Sequence, residues 1–170
     1  MSLTLTIRPA RVDDAAALVQ LGRTVGREEG SWLLTSDGWR SVGDERRYLR
    51  ALKRYPHAAV FVAIDEDEIV GRLSLARDNH PASPHVADLG LMVAASHRRR
   101  GIGRALLAQA VGWARNAGIS KLELHVFPWN EPALQLYASF GFEREGLRRA
   151  HYRRDEEYVD AILMAYWLPD

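Results

Sequence analysis

The run Arg98-Arg99-Arg100-Gly101-Ile102-Gly103-Arg104 is the part of this sequence best suited to hold an anion. It follows an apolar stretch, Val86 to Val93, that reads as a strand, and it opens a segment with helical periodicity. The first N–H groups of a helix have no intrahelical partners, and the helix dipole places about half a positive charge beside them. Gly101 and Gly103 carry no side chain that would keep a ligand away from that backbone. Arg98, Arg99, Arg100 and Arg104 add charge-assisted donors. A pyrophosphate is the expected ligand group. The same residues have a plainer reading, a basic surface turn whose charges are solvated. Two other phosphate chemistries do not fit. No Gly-x-x-x-x-Gly-Lys-Ser/Thr run exists, which argues against ATP or GTP hydrolysis. The dinucleotide fingerprint is broken because Leu106 stands where its third glycine belongs.

The elements that must position this run follow from periodicity and punctuation. Residues 3–8 alternate apolar and polar and read as a first strand. Asp13 and Asp14 suit the start of a helix carrying Leu18, Val19, Leu21 and Val25. Residues 30–43 read as a loop or broken helix, and 44–55 as a second helix ending before Pro56. Residues 58–64 and 69–76 form a hairpin around the charged turn Asp65-Glu66-Asp67-Glu68. After the strand 86–93 come a helix over 101–117, a strand over 121–127 and a helix over 131–140. Strands over about 142–149 and 157–167 close the chain. This order gives an α/β (α+β) fold of about seven strands in a mixed, mostly antiparallel sheet with about four helices, in a single domain over 1–170.

Composition narrows the partners. The chain has 170 residues, 47% of them hydrophobic and 26% charged, as in an ordinary folded domain. The net charge is +1, so no global field drives nucleic-acid or membrane binding. Cysteine is absent, which excludes disulfides, thiolate metal sites and a cysteine nucleophile. The six histidines show no metal-ligand spacing, so no metal is expected. Residues 1–8 do not read as a secretory signal, and no apolar stretch is long enough to span a bilayer, so a cytoplasmic protein is the expectation.

Downstream, Asn130, Ala133, Leu136, Tyr137, Gly141 and Phe142 stand in the arrangement Asn-x-x-Ala-x-x-Leu-Tyr-x-x-x-Gly-Phe. Together with the Arg-x-x-Gly-x-Gly run, this pattern resembles the GNAT superfamily of acetyl-coenzyme A-dependent N-acetyltransferases. The element order resembles that fold over nearly the whole chain. The resemblance implies acetyl-CoA as acyl donor, its pyrophosphate held by the backbone from Arg99 through Gly101, Ile102 and Gly103 to Arg104. It implies that Leu91, Met92 and Val93 pair with the pantetheine arm, and that Met92 and Val93 direct N–H groups at the thioester carbonyl. Asn130 would bind the pantetheine region, and Tyr137 would protonate the leaving thiolate. Spacing alone allows a plainer role for Tyr137, a core aromatic on one helix face with Leu134 and Phe140.

An amine attacking a thioester needs a base as well as an acid and oxyanion donors. Asp88 is one candidate; Glu123 and His125, which alternate along the next strand, are others. Family members often carry a glutamate at the position of Ala87, and Asp88 faces the other way on a regular strand unless a bulge turns it. The tail from Gly141 through Tyr158-Val159-Asp160-Ala161 is similar to bacterial members that acetylate amino acids or other small amines. The expected acceptor is thus a small-molecule primary amine, with a protein N-terminus or lysine as the alternative. A coenzyme A-binding module without catalysis is the rival of another class. Trp32 and Trp39 offer apolar walls for a substrate, or core or dimer contacts; Tyr152 and Tyr158 are the tail's candidates for the pocket. Arg72 either binds a substrate carboxylate or is solvated. A homodimer is a prior from the family.

Overall fold

A computed structural model describes residues 5–30, 32, 33 and 40–170. The strands are β1 (Thr6–Pro9), β2 (Ala58–Asp65), β3 (Glu68–Arg77), β4 (Val86–Val93), β5 (Lys121–Val126), β6 (Glu143–Arg154) and β7 (Glu157–Trp167). The helices are α1 (Ala15–Gly26), α2 (Val42–Leu52), α3 (Ile102–Asn116) and α4 (Glu131–Phe140). The strands form one sheet in the order β1-β2-β3-β4-β5-β7-β6. All neighbours are antiparallel except β4 and β5. This is the mixed, mostly antiparallel fold that the element order implies.

Local chemistry accounts for the boundaries. Pro9 closes β1, an edge strand where the missing N–H costs no ladder bond. Asp14 accepts from the Arg11 backbone at 2.6 Å and from both Arg8 terminal nitrogens, at 2.7 and 2.9 Å. It thereby ties β1 to a 3₁₀ turn, Val12–Asp14, that delays α1 to Ala15. Ser41 caps α2 by accepting from the Asp44 N–H at 3.1 Å, so the helix begins at Val42 rather than 44. Glu66 and Asp67 take φ of 46° and 68°, the paired left-handed turn that closes the β2–β3 hairpin. β6 runs to Arg154, past the expected end near 149. It is an edge strand with register shifts at Arg144/Gly146 and Arg148/Tyr152, and its mostly exposed residues show no period-2 apolar signal.

Each face of the sheet has its own cover. Leu106, Leu107, Ala110 and Ala114 of α3 bury against Leu73, Leu75, Leu122 and Leu124, with Tyr137 and Phe142 completing this larger core. Leu18 of α1 and Leu49 of α2 cover Val60 and Val62 on the opposite face. Burying side chains of this size contributes about 1.5–3 kcal/mol each, so the two layers fix the sheet against which the site is built.

Candidate active site

β4 and β5 pair only through Val86–Lys121, Ala87–Leu122 and Asp88–Glu123. Beyond that point β5 continues along β7 as far as Val126, and β4 continues along β3 as far as Val93. The parallel ladder therefore ends mid-strand and the two strands part. A cleft of about 790 Å3 opens there, walled by the second half of β4, the start of α3, the end of β5 and α4. That volume lies within the usual range for small-ligand sites.

Strand alternation decides which β4 groups face the gap. The Asp78 N–H reaches the Val86 carbonyl and the Ala94 N–H reaches the Val70 carbonyl, both at 2.8 Å and both on the β3 side. The β3–β4 register is unbroken between them, so Met92 sends its N–H towards β3 as well. Leu91 and Val93 keep theirs on the cleft side. The expectation that Met92 and Val93 together face a thioester is corrected accordingly: two adjacent strand residues cannot point their N–H groups the same way. Met92 is instead buried, its side chain against Leu21 and Val25. Ala87 is fully buried in the α3-facing core, so a carboxylate there would be desolvated. Asp88 lies on the opposite face without any bulge, in register with Glu123.

At the helix mouth the first intrahelical bond, Ala105 N–H to Gly101 carbonyl at 3.0 Å, leaves the N–H groups before it outside the helical ladder. Gly101 has φ +82°, and a Cβ built on it meets nothing within 4 Å, so open space lies before the mouth. Gly103 differs from the expectation that it bares the backbone to a phosphate. A Cβ there would stand 2.7 Å from Leu136 Cδ2, so any side chain at this position must displace the end of the Leu136 side chain of α4. Ile102 is buried. Arg99 (φ 60°) and Arg104 both line the cleft; the Arg104 guanidinium sits 5.4 Å over the Phe140 ring and donates to the Ser139 carbonyl at 3.3 Å. Arg100 is exposed.

Arg98 is committed elsewhere. Its two terminal nitrogens donate to the Glu28 carboxylate at 2.6 and 2.7 Å, and Nε donates to the Val93 carbonyl at 3.0 Å. Glu28 also accepts from Trp32 Nε1 at 2.9 Å. This clamp fixes the end of β4 to the segment after α1. Nothing in the Arg27-Glu28-Glu29 triplet singled it out. Arg98→Ala is expected to cost about 1 kcal/mol, for a bidentate but part-exposed pair, and to lower Tm by about 2–4 °C. Differential scanning calorimetry checks this, and an unchanged Tm would show the clamp to be inconsequential.

The remaining predicted residues divide. Asn130 lines the cleft, and its side-chain oxygen caps α4 by accepting from the Ala133 N–H at 3.3 Å. Tyr137 lines the cleft at 6% exposure, its ring 5.6 Å from that of Phe142, and burial pushes its phenol well above the ordinary value. The hydroxyl therefore stays protonated through the working pH range. His125 lines the cleft on the acceptor face, and its Nδ1 stands 2.7 Å from the Tyr152 hydroxyl. Burial, then Arg148 and His151, hold the His125 pKa below its ordinary value, which keeps the ring neutral near pH 7. Asp88 and Glu123 form the last pair of the parallel ladder and, unlike His125, do not line the cleft. Asp88 is exposed. Desolvation and then the Glu123 carboxylate push its pKa up to about 6. Trp32 lines the cleft. Trp39 lies outside the described residues. Tyr158 is 70% exposed on the β6–β7 hairpin and does not line the cleft. Sequence reasoning missed Glu45, fully buried in α2 and paired with Arg72 of β3 at 3.2 Å. Arg72 is itself buried and lines the cleft, so it is not a solvated surface group.

The geometry suits a ligand with an anionic head, an amide-bearing arm and a reactive end. The helix mouth and Arg99 offer room and charge for the first, the unpaired edge of β4 offers N–H groups for the second, and the third would reach the region of Tyr137. Residues 29–142 match the profile of the Acetyltransferase (GNAT) family. The chain belongs to that family. As a GNAT protein it is an acetyl-CoA-dependent N-acetyltransferase. The chain is 35% identical over 114 residues to the L-amino acid N-acetyltransferase AaaT of Escherichia coli (strain K12), across 65% of this chain and 68% of that protein. Alignments with other curated relatives cover less than half of those proteins, 39% and 47% in two cases. Among solved structures, an acetyltransferase of GNAT family from Streptococcus pneumoniae superimposes with a TM-score of 0.86 at 27% identity, over 97% of this chain and 99% of that one. A GNAT phosphinothricin acetyltransferase from Sinorhizobium meliloti, solved with acetyl-CoA, shares the fold with a TM-score of 0.83 at 21% identity, over 98% of this chain and 89% of that one. Among the described residues no group of three or more His, Asp or Glu side chains could hold a metal ion. None of their helices is long and apolar enough to cross a membrane.

Proposed function

We propose that this enzyme acetylates the primary amine of a small molecule, an amino acid foremost. The observation that carries this reading is the single cleft that runs from the α3 mouth to the acceptor face. Arg99, Gly101 and Tyr137 line it, and so do His125, Arg72 and Trp32. Acetyl-CoA supplies the activated acetyl group. The backbone from Arg99 to Arg104 binds the pyrophosphate, and Leu91 and Val93 offer N–H groups along the arm. Tyr137, kept protonated by burial, donates a proton to the departing thiolate. The set of His125, Asp88 and Glu123 takes the proton from the amine, His125 being the member at the cleft wall. The amino-acid preference draws on the L-amino acid N-acetyltransferase AaaT of E. coli, the enzyme that shares 35% identity with this chain. A thiol-release assay over amino acids, polyamines and N-terminal peptides tests the reading. Turnover of amino acids above peptides is expected; turnover of peptides alone would contradict it.

The base set has a pH signature. With Asp88 near 6 and His125 held low, kcat/KM should fall as pH drops below about 6, and Asp88→Asn should blunt that limb. Stability carries the opposite sign. A carboxyl whose pKa is raised in the folded state stabilises it below the unfolded pKa of about 4 and loses that contribution as pH rises through about 6. Asp88→Asn should therefore melt higher than the parent at pH 8 and equally at pH 4. A lower Tm at pH 8 would contradict the desolvation of Asp88.

A further inference from the structure

We infer that the acceptor end of the cleft is a seat for an α-amino acid with an apolar side chain, its carboxylate held by Arg72. This rests on the acetyltransferase reading and names its substrate class. Arg72 stands on β3 directly beside Met92 of β4, on the face of the sheet away from α3. It is 7% exposed, so its charge is a buried one, and it forms part of the cleft wall. Its guanidinium is fixed from behind, with Nη2 donating to Glu45 Oε1 at 3.2 Å. Glu45, fully buried, takes a second guanidinium on its other oxygen, Arg40 Nη1 to Oε2 at 3.2 Å. Arg40 in turn lies 4.2 Å over the Tyr48 ring. Glu45 thus accepts from two guanidiniums, one on each oxygen. An oriented, desolvated guanidinium at a cavity wall is the group that recognises a planar anion best.

The remaining wall at this end decides what the anion is attached to. Met92 is the cross-strand neighbour of Arg72, Val25 and Leu33 pack with Met92, and all three line the cleft with Trp32 and Ser74. A charged side chain would lose its hydration against them. His125, which takes the amine proton under the proposed function, lines the same cleft. A carboxylate on Arg72, a side chain on the apolar wall and an amine towards the strand gap are the three substituents of one α-carbon. A polyamine or a lysine side chain brings no carboxylate to the seat.

The test compares L-methionine with L-methioninamide, and L-leucine with L-leucinamide, on the full-length enzyme by thiol release. The carboxamides keep size, amine and side chain and lose only the charge. We expect the free acids to be preferred in kcat/KM by about tenfold to hundredfold, as for a charged hydrogen bond that is gained or lost. L-Aspartate should be as poor as the amides. In Arg72→Lys, which keeps a cation beside Glu45, the acid-to-amide ratio should collapse towards one while the acetyl-CoA Kd is unchanged. The comparison in the parent enzyme stands even if that variant does not fold. Equal turnover of acids and amides, or preference for N-terminal peptides, would overturn the seat and leave the acetyltransferase reading intact. Failure of every amine while acetyl-CoA still binds would overturn both.

Discussion

Tyr137→Phe should lower kcat about a hundredfold and leave the Kd for acetyl-CoA within about twofold. The figure is the lower end of what a positioned general acid contributes, and corresponds to roughly 2.7 kcal/mol in the barrier. The asymmetry between rate and binding follows from where the phenol sits. Its ring is buried against Phe142 and is kept by the substitution, so the cleft wall and the fold survive. Only the hydroxyl is lost, and a hydroxyl whose proton burial retains is useful when a thiolate departs, not when the thioester binds. Steady-state kinetics beside calorimetric titration separate the two effects. An unaltered turnover number would remove Tyr137 from the chemistry and return it to the plain role of a core aromatic.

Gly103→Glu should weaken acetyl-CoA binding by about a hundredfold or more. Two effects contribute, and they separate. The new Cβ meets Leu136 Cδ2 at 2.7 Å, and because this is the mobile end of a side chain, Leu136 can swing aside into the cleft it lines. Gly103→Ala carries this steric part alone and should lose only a fewfold in affinity. The carboxylate adds repulsion of about 3 kcal/mol per unit charge at ~5 Å and an effective dielectric of ~20. That part should shrink as salt is raised, whereas the steric part should not. Titration calorimetry at two salt concentrations reads both. Equal affinities for the parent and the Glu variant would place the pyrophosphate elsewhere.

The sequence made some parts of this molecule readable and hid others, for physical reasons. The hairpin at Asp65–Glu68, the helix ended near Gly118 and the strand before the arginines all carry local signals, and all appear in the fold. The long β6 was legible only in part because an edge strand exposed on both faces needs no alternation. The glycines at 101 and 103 looked equivalent. One occupies a left-handed φ at the open mouth, while the other lets α3 pass close to the Leu136 side chain of α4, a tertiary contact that spacing cannot reveal. The three arginines looked equivalent too, yet Arg98 is engaged by Glu28, seventy residues earlier in the chain. Ala87 appeared to leave the acceptor face without its carboxylate. The regular register of β4 puts Asp88 on the face away from α3, paired with Glu123. Arg72 was ambiguous because its burial depends on Glu45, on a helix that no short-range pattern links to β3.

The start of α3 is proposed as the seat for the diphosphate of the acyl carrier. Amide hydrogen exchange with and without acetyl-CoA tests it most directly, because the groups said to bind are backbone N–H groups that no intrahelical bond protects. Acetyl-CoA should slow exchange across residues 99–104, and across Leu91 and Val93, with little change in β6. Saturation by acetyl-CoA with exchange at 99–104 unaltered would contradict the account.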